Sequence, residues 1–136
     1  MKEPRWIGLA IATAIHDEAI YEFGGLPGLR DQGLLESALD RPRNLYGYEP
    51  RRSIFQLAAS LCVGVAKNHA FHDGNKRTAL LTARAFLYLN GQDLEPSQEA
   101  EVLTLVAVAD GSFSEAALAE WLQDNSTKRS TRKPKA

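Results

Sequence analysis

Apolar residues in this 136-residue chain recur at helical spacing, and no stretch alternates apolar and polar residues as a half-buried strand would. Ile7, Ile11, Ile15 and Ala19 follow one another every four residues, so one amphipathic helix is expected from about Trp6 toward Phe23. Gly24-Gly25-Leu26-Pro27-Gly28 is a breaker cluster, and Asp31 is placed to cap a second helix running to about Leu39. Residues Arg41 to Arg52, with Pro42, Gly47 and Pro50, read as a connector. Further helices are expected near Ser53 to Asn68, Gly74 to Leu89, Ser97 to Ala109 and Ser114 to Gln123. Asn90-Gly91 and Asp110-Gly111 separate the last three, and Ser112 or Ser114 can cap the final one. With no repeats or heptads, the pattern predicts an all-α fold, a compact bundle of six helices.

Between the two central helices lies His69-Ala-Phe-His-Asp-Gly-Asn-Lys-Arg-Thr-Ala79, which combines a base, a carboxylate and an anion cradle. Lys76 and Arg77 fall in the first turn of a helix, where a cation opposes the positive end of the helix dipole at about 0.3–1 kcal/mol each when exposed. A bound polyanion reverses that sign. First-turn N–H groups, Gly74 for close main-chain approach, Lys76 as a point charge and Arg77 as a fork all suit phosphate oxygens. Asp73, just outside the helix, suits a hard divalent ion such as Mg²⁺ that bridges phosphate oxygens. His69 has the side chain that changes charge near neutral pH, fit to take a proton from an attacking hydroxyl. Phe71 is expected to point inward and anchor the loop.

Each of these residues has an ordinary reading when taken alone. His69 follows the apolar stripe Ala58, Cys62 and Val65, where a lone histidine is commonly a core or capping residue; Asp73 alone is a turn former. It is the motif around them that turns the reading toward chemistry. His69-x-x-His72-Asp73 is not a zinc site, because no further ligand follows at fixed spacing and the single cysteine, Cys62, lies on an apolar face. His72 is left as a surface residue. A P-loop is absent.

His69 to Arg77 resembles the Fic/Doc superfamily signature His-x-Phe-x-[Asp/Glu]-Gly-Asn-x-Arg, and Asn75-Lys76-Arg77-Thr78 is similar to its Doc, or death-on-curing, branch. Tyr21 to Asp31, Gly33-Leu34-Leu35-Glu36-Ser37-Ala38-Leu39, Phe86-Leu87 and Asn90-Gly91 also look like Doc segments, in Doc order, so the likeness runs to about Gly111. The resemblance implies a Fic/Doc-type bundle with His69 as catalytic base, Asp73 as Mg²⁺ ligand, and Gly74, Asn75, Lys76 and Arg77 as nucleotide-phosphate binders. Fic adenylyltransferases carry Gly-Asn-Gly-Arg-x-x-Arg; this chain has Lys76 at the second glycine and Leu80 at the second arginine. In Doc toxins that pattern goes with a kinase reaction. The terminal phosphate of ATP passes to a hydroxyl of a translation factor, elongation factor Tu, and translation stops. A Fic-type adenylyltransferase and a catalytically weak binding or regulatory domain are the alternatives.

The resemblance also implies that Arg41 to Arg52 borders the site, making Tyr46 and Tyr48 candidates for target docking; a solvated loop whose arginines pair with local acids is the competing reading. His16 resembles a Doc position too, with a packing or capping role expected. Ser97-x-x-x-Glu101 has the spacing of the self-inhibitory Fic helix but continues with Val102, so restraint is expected from outside. That restraint would be a Phd-like antitoxin of a type II toxin–antitoxin pair, its C-terminal segment folding as a helix into a groove.

Charge divides the chain. Five of its sixteen basic residues lie in the last nine positions, and all seventeen acidic residues precede them, leaving eleven basic residues in the body, a net of −6. An acidic body argues against general nucleic-acid binding, although the basic tail could adhere to RNA. The division expected is a Fic/Doc domain over 1–125 and a basic disordered tail over 126–136. Trp6 to Ile15 has the outline of a short signal peptide, but its periodicity continues to Phe23, and no run is long enough to span a membrane. One cysteine permits no intrachain disulfide and agrees with a reducing cytoplasm.

Overall fold

The computed structural model describes residues 2–130. Its helices are α1 (Leu9–Phe23), α2 (Gln32–Tyr48), α3 (Ile54–Asn68), α4 (Asn75–Leu89), α5 (Gln98–Asp110) and α6 (Glu115–Asp124), with two short strands, β1 (Gln92–Leu94) and β2 (Ser126–Lys128). Serine and aspartate side chains start four of the helices: Asp31, Ser53, Ser97 and Ser114 each accept from a first-turn N–H. Ser53 and Gln56 bond reciprocally as a capping box.

Helix α3 is the centre. Leu57, Ala58, Ala59, Leu61, Cys62, Val65 and Ala66 are all buried, so it is apolar around most of its circumference, as a helix enclosed by neighbours must be. It packs against α2, α4 and α6. Burial pushes the Cys62 thiol up to about 12, leaving it a small core hydrophobe rather than a nucleophile. At one end of α3 the chain turns through the motif into α4, so the two best-packed helices hold the loop from both sides.

The all-α fold of six helices expected from the sequence is what forms, with three local corrections. Arg41 to Tyr48 is not a connector: α2 runs through Pro42 to Tyr48. Proline cannot donate to the carbonyl four residues back, that of Ala38, and would ordinarily break the helix. Here the helix continues inside a packed interface: Gly64 of α3 lies so close that a Cβ on it would stand 3.3 Å from the Ala38 Cα and carbonyl oxygen. Pro42 itself is buried. Arg41 Nη1 spans to the Ser60 carbonyl at 2.9 Å and to Glu115 at 2.6 Å, while Arg52 pairs with Glu49 at 2.6 Å, so two of the segment's arginines do pair with acids.

The second correction concerns β structure. β1 and β2 pair antiparallel, Gln92 opposite Lys128 and Leu94 opposite Ser126. Three residues per strand are too few to carry an alternating signal. The third follows from it: residues 126–128 are a strand, the Arg129 N–H donates to the Gly91 carbonyl at 2.8 Å, and its guanidinium lies over Tyr88. The tail expected from residue 126 therefore begins against the body, and residues 131–136 of it lie outside the described residues. A smaller difference is at the first helix, which starts at Leu9, with Trp6 stacked on Phe86 and Ile7 buried just before it.

Candidate active site

The motif loop is held by a local frame and a distant one. Locally, the Asn75 side chain brackets Phe71: Nδ2 donates to the Phe71 carbonyl at 2.9 Å and Oδ1 accepts from its N–H at 3.0 Å. Phe71 is buried, as expected of an anchor, and the His16 ring lies flat on it at 3.8 Å. His16 Nε2 bonds the Asp73 carbonyl at 2.8 Å, which requires the proton on that nitrogen. The packing role expected for His16 is what the fold shows, and it steadies both ends of the loop.

The distant frame is the segment from Gly24 to Asp31. Leu29 bridges to Phe71, the His72 N–H donates to the Gly28 carbonyl at 3.2 Å, and the N–H groups of Arg30 and Asp31 both reach the Ala70 carbonyl. The sequence marked a breaker and a Doc-like segment here without showing what it touches; two of its glycines, Gly25 and Gly28, serve close approach. Gly25 has φ +121° and a Cβ on it would stand 2.8 Å from Asp73 Oδ2.

Asp73 is exposed and fixed. The Leu26 N–H donates to Oδ2 at 3.1 Å and the Gly74 N–H to Oδ1 at 2.9 Å. Those two bonds, Leu26 first, hold its carboxyl below the ordinary value of 3.8, against partial desolvation. A depressed folded pKa stabilises the native state fully above the ordinary value and loses that contribution as pH falls through the folded one. Asp73→Asn should therefore lower thermal stability more at about pH 7 than at about pH 3, in paired melting curves.

Gly74, at φ +73°, is the N-cap of α4 and offers no side-chain cap. The first-turn N–H groups are left for another acceptor. Lys76 is exposed beside them. Arg77 lies over the Phe23 ring at 4.4 Å and pairs with Glu101 of α5 at 3.3 Å. Glu101, weighed in the sequence only for its spacing from Ser97, is thus a neighbour of the cradle, and Ser97 is the α5 cap. His69 ends α3 at φ 50°, ψ 47°, a left-handed conformation that costs a residue with a Cβ roughly 1–2 kcal/mol.

These side chains converge on a cavity of about 710 Å³ lined by His69, His72, Asp73 to Arg77, and by Leu105, Val106 and Asp110 of α5. Base, carboxylate, uncapped helix end and two cations share one space. The α5 wall and His72 were not anticipated, since nothing in sequence says which neighbour closes a cleft.

Two expected members are elsewhere. Tyr46 packs on Trp6, and Tyr48, though exposed, ends α2. Asn68 beside the motif bonds Leu34 near the start of α2, so Tyr48, fourteen residues on, is about 21 Å away along the helix. Neither lines the cavity. The segment expected to be a connector bordering the site is instead the far half of a helix.

A family model for the Fic/DOC family matches residues 6–87. The chain is 39% identical over 110 residues to the protein kinase doc of Escherichia phage P1, covering 81% of this chain and 86% of that protein. It belongs to the Fic/DOC family. It is also 39% identical over 93 residues to the toxin Doc of Mycolicibacterium smegmatis, across 65% of this chain and 72% of that one. The Fic/DOC match spans α1 through most of α4, the part of the fold that contains both frames and the whole motif.

Proposed function

We propose that this Fic/DOC protein is the toxin of a type II toxin–antitoxin pair, a Doc-like kinase that moves the terminal phosphate of ATP to a serine or threonine hydroxyl of elongation factor Tu. One observation carries the reading: His69, Asp73 and an uncapped helix end bearing Lys76 and Arg77 line a single cavity.

His69 takes the proton of the target hydroxyl as its oxygen bonds to the terminal phosphorus, and the bond to the bridging oxygen breaks to release the diphosphate. Lys76, Arg77 and the α4 N–H groups hold the phosphate oxygens in that passage. Asn75 serves indirectly, its amide being committed to Phe71. Asp73 fits Mg²⁺: it is exposed, kept ionised, and each oxygen has accepted just one N–H. Bound there, Mg²⁺ would neutralise charge on the substrate phosphates. Asp73→Asn is expected to weaken the Mg²⁺ dependence of ATP binding, measured by calorimetric titration with and without the ion.

Glu101 competes with phosphate for Arg77. Both side chains are partly exposed, and such pairs are worth about 0.2–1 kcal/mol, so Glu101→Gln should tighten ATP binding by no more than about fivefold. Unaltered or weaker binding in that titration would show that Glu101 does not oppose the nucleotide.

Adenylyl transfer is less well supported, because Leu80, where those enzymes hold their second arginine, is 2% exposed in the core. No described helix is long and apolar enough to cross a membrane, and the cytoplasm is the proposed compartment. The proposed restraint is a Phd-like antitoxin whose C-terminal helix covers apolar surface near the site, where Phe23, Leu26 and Val106 are exposed. The decisive experiment incubates the protein with ATP, Mg²⁺ and elongation factor Tu and weighs the factor by mass spectrometry. A single phosphate is expected; a nucleotidyl addition, or none, would sink the kinase reading.

A further inference from the structure

His69 is aimed by its main chain. It is the one non-glycine residue with positive φ among the described residues, and among those residues no hydrogen bond, ion pair or ring contact holds its imidazole. A side chain so placed points wherever its peptide sends it.

What holds the peptide is Arg30, thirty-nine residues away in sequence. Its Nε donates to the His69 carbonyl at 2.9 Å, and Nη2 donates to the same oxygen. Its own N–H donates to the next carbonyl, that of Ala70, at 2.7 Å, joined by the Asp31 N–H at 3.0 Å. Two successive carbonyls at the C-terminal end of α3 thus converge on one residue. A cation is favoured there by the helix dipole, but a cation alone would not fix direction. The planar fork does, since two donors on one oxygen define its approach. Relaxation of His69 toward negative φ would swing that carbonyl away and break both side-chain bonds.

We infer that Arg30 is a positioning residue for His69: its guanidinium locks the left-handed peptide that directs the imidazole into the cavity. The inference rests on His69 acting as the base. Arg30 does not line the cavity, and its hydrogen bonds to a lining residue are those to the His69 main chain. It should therefore alter the rate of transfer and leave nucleotide affinity alone.

The test uses the full chain carrying Arg30→Lys, which keeps the charge and loses the fork, and Arg30→Gln, each with His69 intact and with His69→Ala. Activity is read as ATP-dependent inactivation of a cell-free translation extract. The maximal rate should fall roughly ten- to a hundredfold, as misplacement of a catalytic group by about 1 Å does. The ATP concentration for half-maximal rate should stay within about twofold. With His69→Ala present neither substitution should cause a further fall. Independently of activity, the three-bond amide–Hα coupling and the Cα and Cβ shifts of His69 should move toward negative φ in both variants. Folded variants that keep the wild-type coupling and shifts overturn the inference, and so does an equal loss of rate with and without His69. If the wild type fails to inactivate translation, the proposed function falls and the spectra alone decide the hold of Arg30 on His69. If Arg30→Gln does not fold, Arg30→Lys, which still satisfies the helix end electrostatically, gives the answer.

Discussion

Replacing His69 with alanine is expected to cut the rate of transfer by roughly 10²- to 10⁴-fold, the usual range for a general base, while nucleotide affinity changes little. The split follows from where His69 sits. It closes α3 and lines the cavity, whereas the cradle belongs to the first turn of α4 and to Asp73 on the far side of the buried Phe71 anchor. Removing the imidazole leaves that anchor intact, since Phe71 is held by Asn75 and His16 rather than by His69. Stability should also be spared, because the left-handed peptide is held through its carbonyl and not through the ring. Single-turnover rates with ATP and elongation factor Tu, beside a calorimetric titration and a melting curve, separate the three quantities. A His69→Ala protein that modifies its target at near wild-type rate would remove the histidine from the mechanism.

The parts of this fold that were legible in the sequence are those set by neighbours along the chain. Caps at Asp31, Ser53, Ser97 and Ser114 and the breaks at Gly91 and Gly111 are local chemistry, and they marked the helices well. The motif was legible because its residues are contiguous. What escaped depends on contacts between distant segments. Pro42 breaks a helix by every local rule, yet α2 continues through it where it packs closely on Gly64 of α3. Glu101 meets Arg77 twenty-four residues away, and Arg30 meets His69 across thirty-nine. The paired strands are too short to show a period, and their partners lie on either side of two helices. The same blindness hid where Tyr46 and Tyr48 stand, since their distance from the cavity is fixed by the length of α2 rather than by anything near them in sequence.

Lys76→Gly is expected to change the reaction itself. Arg77 is engaged by Glu101 and Phe23, whereas Lys76 has no ion-pair partner among the described residues and stands exposed on the cavity wall. It is the uncompensated charge at a helix end that already favours anions. Taking it away removes a preorganised donor from the oxygens that gain charge during transfer, a loss of roughly 10²- to 10³-fold in phosphate transfer. The glycine also vacates space beside the first-turn N–H groups. A nucleotide can then lie deeper in the cradle and present a different phosphorus to the hydroxyl, so slow nucleotidyl transfer is expected in place of phosphate transfer. Lys76→Ala separates the two effects, because it removes the charge while restoring a Cβ. Phosphate transfer should be lost in both variants and nucleotidyl transfer should appear more readily in the glycine one. Neither loss can be blamed on unfolding, since relieving a cation at a helix N-terminus stabilises α4 by about 0.3–1 kcal/mol, offsetting most of the helix penalty of glycine. Mass spectra of elongation factor Tu after incubation with ATP distinguish the products, and a Lys76→Gly enzyme that still adds only phosphate at the wild-type rate would show that this ammonium does not choose which bond breaks.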